Sequence, residues 1–132
     1  MSKPVVLVID DSDIARHAVC TMLRRADYVV RDLPSAIGST REILRHQVSA
    51  VVVDLDMPGL RGDKLATLLR TNPRLSEVVL ILISGQSQDE LAALREDRAI
   101  NAVIAKSDLE LKLVATLGRL LSSGRSDPKP SS

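Results

Sequence analysis

Aromatic side chains are nearly missing from this 132-residue chain: Tyr28 stands alone, without any Phe or Trp. There is therefore no platform on which the bases of a single-stranded nucleic acid would stack. A single cysteine, Cys20, excludes a disulfide scaffold and a cysteine-based zinc site. Neither sign of charge dominates, since 18 Lys plus Arg stand against 17 Asp plus Glu, a net of +1. That balance gives no electrostatic drive toward nucleic acid or an anionic membrane. No apolar run approaches the ~20 residues that span a bilayer. Met1-Ser2-Lys3-Pro4 leads into a short apolar segment without the h-region and cleavage site of a signal peptide. The expectation is one compact cytoplasmic domain.

What the chain has in plenty is aliphatic residues. Apolar positions make up 45% of it, so the core must be built from Leu, Val, Ile and Ala. Five apolar runs stand out: Val5 to Ile9, Tyr28 to Val30, Val51 to Val53, Val78 to Ile83, and Ala102 to Ala105. The first and fourth have no polar alternation, the habit of parallel strands buried on both faces. Between the runs lie segments of helical period. Ile14, Ala15, Ala18, Val19, Met22 and Leu23 form a stripe, and residues 35–47 predict a weaker helix interrupted by Gly38. Leu65, Leu68 and Leu69 mark a third helix, Leu91 and Leu94 a fourth, and Leu113, Leu117, Leu120 and Leu121 a fifth. Ser87 with Glu90, and Ser107 with Glu110, read as capping boxes.

Strand and helix thus alternate five times, which predicts an α/β fold with a doubly wound parallel sheet and right-handed crossovers. Such a sheet carries its working site beyond the carboxyl ends of the strands. The domain is expected over residues 1–121. Residues 122–132, with five Ser and two Pro, read as a disordered tail or linker stump.

The polar residues fall at the strand ends. Asp10 and Asp11 follow strand 1, Asp54 follows strand 3, Ser84 and Gly85 follow strand 4, and Lys106 follows strand 5. Each has an ordinary explanation on its own: Asp10-Asp11-Ser12 as a helix cap, Asp54-Leu55-Asp56 as turn residues, Ser84-Gly85 as a loop, Lys106 as a surface lysine. His17 and His46 read as surface residues, Cys20 as a partly buried small residue, and Arg95 to Arg98 as a solvated helix end. Together, three carboxylates at one sheet edge repel one another unless a cation sits among them. Mg²⁺ suits such an oxygen-rich site because it retains waters and accepts phosphate oxygens. With a lysine and a hydroxyl alongside, the site is equipped to bind a phosphoryl group, and a facing carboxylate can attack it.

Val51 to Gly62, with Asp54, Asp56, Met57, Pro58 and Gly59, resembles the phosphoacceptor segment of a two-component response regulator receiver domain. Ile9-Asp10-Asp11, Ser84-Gly85 and Lys106 match the other motifs of that family in order, over roughly residues 4–121. The resemblance implies the flavodoxin-like fold of strand order 2-1-3-4-5. It also implies roles. Asp54 would accept the phosphoryl group. Asp11 would bind Mg²⁺ directly, Asp10 would do so through water, and the Asp56 backbone carbonyl would be a further ligand. Ser84 and Lys106 would contact the phosphoryl oxygens, and Gly85 would leave room for donor and water. Asp56 and Gln86 occupy positions that tune dephosphorylation in similar proteins.

Two positions depart from the family pattern. Val103 stands where an aromatic residue usually acts as a conformational relay, and valine is smaller and stiff at χ1. Ser107 replaces the proline whose peptide bond is usually cis. A cis bond without proline costs ~3 kcal/mol, so a trans bond is expected, with Ser107 capping helix 5 and the aim of Lys106 open to shift.

The implied function is a single-domain response regulator served by a histidine kinase or phosphotransfer protein. Its face of helix 4, strand 5 and helix 5 would engage a downstream protein or form a homodimer, with no direct nucleic-acid or membrane contact. It would modify and demodify itself and would not be a turnover enzyme. No helix-turn-helix or catalytic domain follows residue 121, so the output is protein contact or phosphorelay if the chain is complete. Two alternatives compete. A binding module that no longer cycles phosphate is favoured by Val103 and Ser107. A small aspartate-nucleophile phosphatase matches Asp54-Leu55-Asp56, but that family needs a longer chain with a cap. Flavin binding fails for want of a phosphate loop after strand 1 and of stacking aromatics.

Overall fold

A computed structural model describes residues 3–57, 62–85 and 88–126 of the chain. Five strands alternate with five helices: β1 (Val5–Ile9), α1 (Asp13–Arg25), β2 (Val29–Leu33), α2 (Ser39–His46), β3 (Ala50–Asp54), α3 (Gly62–Thr71), β4 (Val79–Ser84), α4 (Gln88–Arg95), β5 (Ala102–Ala105) and α5 (Leu109–Ser126). A short 3₁₀ turn, Lys106–Asp108, joins β5 to α5. All pairings are parallel, as the sequence pattern predicts, and the strand order is β2-β1-β3-β4-β5, as the family resemblance implies.

The sheet is covered on both faces because its inner strands are apolar on both. Leu7, Ile9, Val51, Val53, Leu80 and Leu82 pack with Ile43, Leu65, Leu69 and Leu91 on one side. Val6, Val8, Val52, Ile81 and Ile83 pack with Val19, Cys20, Leu23, Leu113 and Leu117 on the other. Thus α1 and α5 share one face, while α2, α3 and α4 share the opposite one. Right-handed crossovers impose this: the chain steps outward from β1 to β2, then returns past β1 to β3 and continues in that direction. Beyond the β1–β3 boundary the crossover helices change face, which leaves a crevice at the carboxyl ends.

Several expectations shift by a few residues. β2 runs to Leu33, past the apolar run Tyr28 to Val30, because its ladder with β1 continues to the pair Ile9–Leu33. As an edge strand it carries Arg31 and Asp32 in the open without cost. α2 begins at Ser39, not at 35. Gly38 is its cap residue, at φ +85°, a conformation that favours glycine, and Gln47 closes the helix at φ +53°. Gly38 therefore starts the helix rather than interrupting it. The apolar stripe of α1 is narrower than its periodicity suggests: Val19, Cys20 and Leu23 are buried, whereas Ile14 is 85% exposed. Leu68 of α3 is likewise half-exposed. Cys20 is fully buried, and burial pushes its thiol pKa up.

α5 does not stop at residue 121. It continues through Ser126, so the boundary expected at 121/122 falls inside a helix. Once Leu113, Leu117 and Leu121 anchor the helix, each further residue adds a hydrogen bond without a new nucleation cost. The rest of the expected tail, 127–132, lies outside the described residues, as does Ser87 of the first expected capping box. Ser107 sits within the 3₁₀ turn, so it does not cap α5 as expected. Among the described residues no peptide bond is cis, in agreement with a trans Lys106–Ser107 bond, and no helix is long and apolar enough to cross a membrane.

One arginine ties the far end of the sheet together. Arg70, near the end of α3, donates to the carbonyls of Ser76 (2.9 Å), Val78 (2.8 Å) and Ala99 (3.0 Å). It also donates to Asn101 Oδ1 (2.8 Å), which accepts in turn from the Leu80 N–H (2.7 Å). The starts of β4 and β5 are thereby fixed to α3. Arg70→Ala is expected to cost about 2–3 kcal/mol in urea unfolding, because it orphans the partly buried Val78 and Ala99 carbonyls at once. Arg70→Lys should recover only part of that, since an ammonium cannot span the same acceptors. At Gly118 in α5, an added Cβ would meet only Tyr28 Oη at 3.8 Å, an ordinary contact. Gly118→Ala is expected to raise stability by about 0.5–1 kcal/mol in the same assay.

Candidate functional site

Register decides what meets at the carboxyl edge. Ile9 is paired with Val53, so the residues that follow them, Asp10 and Asp54, lie side by side. Asp54 is paired with Ile83, and Ser84 with Ala105, which brings Ser84 and Lys106 next in line. The sequence-predicted residues Asp10, Asp11, Asp54, Ser84, Gly85 and Lys106 therefore do share one edge. Gln86, also singled out, lies outside the described residues, as do Pro58 and Gly59.

The acidic half of the site is Asp10, Asp11 and Asp54. One carboxylate oxygen from each lies within 4.8 Å of the others. Asp10 and Asp54 are buried, whereas Asp11 is exposed. Asp10 Oδ1 accepts the Ser12 N–H at 2.9 Å, and Ser12 Oγ accepts the Ala15 N–H at 3.2 Å as the cap of α1. The helix cap thus falls on Ser12, while Asp10 and Asp11 beside it cluster with Asp54. Burial, and then the nearby Asp54 carboxylate, push the Asp10 carboxyl above its usual range despite the Ser12 N–H. Three acids this close, two of them buried, form a donor set that fits a hard divalent cation with oxygen ligands.

The cationic half is Lys106. Its Nζ lies 3.4 Å from Asp54 Oδ1 and 3.1 Å from Asp56 Oδ2. Burial alone would lower the Lys106 ammonium pKa, but the Asp56 and Asp54 carboxylates outweigh it and hold the pKa above its usual value. The trans bond to Ser107 has not turned this lysine away. Ser84 is fully buried, and its Oγ donates to Asp56 Oδ1 at 3.2 Å. The exposed Gly85 donates its N–H to Asp56 Oδ2 at 2.9 Å. The Asp56 N–H itself donates to Asp54 Oδ1 at 2.9 Å, which fixes the turn after β3.

Two features were not legible in the sequence. The Asp56 carboxylate gathers Ser84, Gly85 and Lys106, although its sequence position marks it only as a backbone ligand and a tuning residue. Burial would raise the Asp56 carboxyl, but those three donors together hold it below the usual carboxylate value. Arg16 is the second. It donates to the Asp10 carbonyl (2.8 Å), to Asp32 Oδ2 (2.7 Å) and to Asp13 Oδ1 (2.6 Å), pinning the acidic loop to α1 and β2. Only the Arg16–Asp13 spacing leaves a mark in the sequence.

Val103, at the position lacking an aromatic, is buried, and its carbonyl accepts from the Arg95 guanidinium at 3.2 Å. Part of the charge run expected to be solvated is thus tied to β5. His17 is exposed, and His46 lies 3.5 Å from Glu42, so neither enters the site.

Comparison with known proteins agrees with this geometry. Residues 6–117 match the family model of the response regulator receiver domain. The chain is 30% identical over 117 residues to the two-component response regulator PhoP of Pseudomonas aeruginosa, covering 86% of this chain and 52% of PhoP. It is 32% identical over 95 residues to the two-component response regulator ORR13 of Oryza sativa subsp. japonica, covering 68% of this chain and 75% of that protein. It therefore spans about half the length of PhoP and three-quarters of ORR13. Among solved structures, a sensor protein from Polaromonas sp. JS666 matches with a TM-score of 0.83 at 19% identity, covering 93% of this chain and 99% of that one. The Vibrio cholerae chemotaxis protein CheY4 matches with a TM-score of 0.80 at 19% identity, covering 91% and 100%. With strand order, edge chemistry and family match in agreement, the chain belongs to the response regulator receiver domains of two-component signalling.

Proposed function

We propose that this receiver takes a phosphoryl group onto Asp54 and uses the new charge to reset a protein-binding face. The observation that carries the proposal is the cluster at Asp54, with the Asp10 and Asp11 carboxylates beside it and Lys106 Nζ 3.4 Å away. An Asp54 carboxylate oxygen attacks the phosphorus of a phosphohistidine presented by a histidine kinase or phosphotransfer protein. The P–N bond breaks, its electron pair stays on the imidazole nitrogen, and an acyl phosphate forms.

Asp10, Asp11 and Asp54, with the backbone carbonyl of Asp56, are the residues that would hold Mg²⁺; bound there, it neutralises the acids and withdraws charge from the phosphoryl oxygens. Lys106 balances the phosphoryl charge, the Ser84 hydroxyl donates to one of its oxygens, and the absent side chain of Gly85 leaves the approach open. Water later attacks the same phosphorus and returns Asp54. The chain thus processes its own phosphoryl group and turns over no other substrate.

Phosphorylation adds a charge of about −1.5 to −2, which draws Ser84 and Lys106 toward it. The readout face is α4, β5 and α5, where Arg95, Lys112, Thr116 and Arg119 line a groove beside Val103. A partner protein or a second copy of the chain binds there, in the cytoplasm. The placement of Lys106 favours this reading over a module that no longer cycles phosphate. The route to the face cannot be an aromatic swing, because Val103 supplies no ring.

Incubation with Mg²⁺ and acetyl phosphate is expected to add one hydroxylamine-labile phosphoryl group by intact mass, and Asp54→Asn should gain none. No gain in wild type would refute phosphoacceptance. Bulk hydrolysis of phosphate esters would point to a phosphatase instead. Asp10→Asn should relieve carboxylate crowding, raising the melting temperature in EDTA by about 3–5 °C, the equivalent of about 1 kcal/mol. The same variant should lose about 10–100-fold in Mg²⁺ affinity by calorimetry.

A further inference from the structure

The Ser84 hydroxyl and the Lys106 ammonium, the groups that would serve the phosphoryl oxygens, already hold an anion. Ser84 Oγ lies 3.2 Å from Asp56 Oδ1, and Lys106 Nζ lies 3.1 Å from Asp56 Oδ2. The Gly85 N–H adds a third donor at 2.9 Å to that second oxygen. A hydroxyl, a backbone N–H and an ammonium thus converge from β4, the loop after it and the end of β5 on the two oxygens of one carboxylate. Lys106 is closer to Asp56 than to Asp54, from which it is 3.4 Å away. The fit is tight, since a Cβ built on Gly85 would meet Asp56 Oδ2 at 3.2 Å.

We infer that the Asp56 carboxylate is an internal stand-in for the phosphoryl group, a latch that occupies Ser84, Gly85 and Lys106 in the resting protein. This rests on the phosphoacceptor reading and adds its regulation. Ser84 has one hydroxyl proton to give, and Lys106, though it reaches both anions, stands closer to Asp56 than to Asp54. A phosphoryl group arriving on Asp54 brings negative charge beside Asp56, and like charges in a partly buried site repel. Asp56 must therefore give up the Ser84 proton and loosen its hold on Lys106 before these two can serve the phosphoryl oxygens. The latch keeps the donors ordered while the site is unmodified, and it opposes the switched arrangement until a full phosphoryl charge displaces it. A plain tie of the loop after β3 would do only the first of these things.

The two roles separate in a titration with beryllofluoride, a phosphoryl analogue, at saturating Mg²⁺. Asp56→Asn keeps the shape and removes the charge. It is expected to bind beryllofluoride about tenfold more tightly than wild type, the scale of one like-charge interaction removed. Equal or weaker binding by the variant overturns the latch and leaves the phosphoacceptor reading intact. Absence of Mg²⁺-dependent beryllofluoride binding in both proteins overturns that reading and the latch with it. Wild type alone supplies a second measurement should the variant fail to fold. The exposed Gly85 amide is expected to exchange its hydrogen slowly in the free protein, because it donates to Asp56. Exchange at the rate of an unbonded amide overturns the inference.

Discussion

The pairing of β1 with β3 is the constraint on which the site depends. With Ile9 beside Val53, Asp10 and Asp54 leave the sheet at the same height and on neighbouring strands. A one-residue slip would turn each strand's side chains to the opposite face. The penalty would fall on the core first, because Leu7, Val51 and Val53 are fully buried on one face and Val6, Val8 and Val52 on the other. The chemistry at the edge is therefore held in place by hydrocarbon packing several residues away. That separation lets the edge carry groups that repel each other without undoing the fold.

Repulsion at the edge is managed rather than removed. Asp10 and Asp54 are buried beside one another, and the Asp10 carboxyl is pushed up by burial and by that neighbour. Lys106 reaches over from the end of β5, and its pKa rises because both Asp56 and Asp54 face it. Arg16 supplies a second cation, but it touches the Asp10 carbonyl and leaves the carboxylates open. It thus fixes the loop without occupying the clustered carboxylate oxygens of Asp10, Asp11 and Asp54.

The departures from the family pattern have unequal consequences. With serine after Lys106, the connection is a 3₁₀ turn that leads into α5, and the ammonium reaches Asp54 and Asp56. Valine at 103 is a different matter, because no rearrangement restores a missing ring. Its carbonyl is instead tied to the Arg95 guanidinium, a polar link between β5 and α4.

The sequence alone was enough to determine the α/β class, the strand order through its family resemblance, and the edge residues Asp10, Asp54, Ser84 and Lys106. These are local signals: buried parallel strands are continuous apolar runs, and each functional residue follows its run directly. The exact ends were less legible. β2 extends by pairing rather than by apolarity, α5 propagates past its last buried leucine, and Ile14 falls on the helical period yet faces solvent. Only the tertiary structure decided which anion Lys106, Ser84 and Gly85 hold. Asp56 lies 28 residues from Ser84 in sequence, and the direction of its side chain depends on a turn and a register, neither of which leaves a periodic trace.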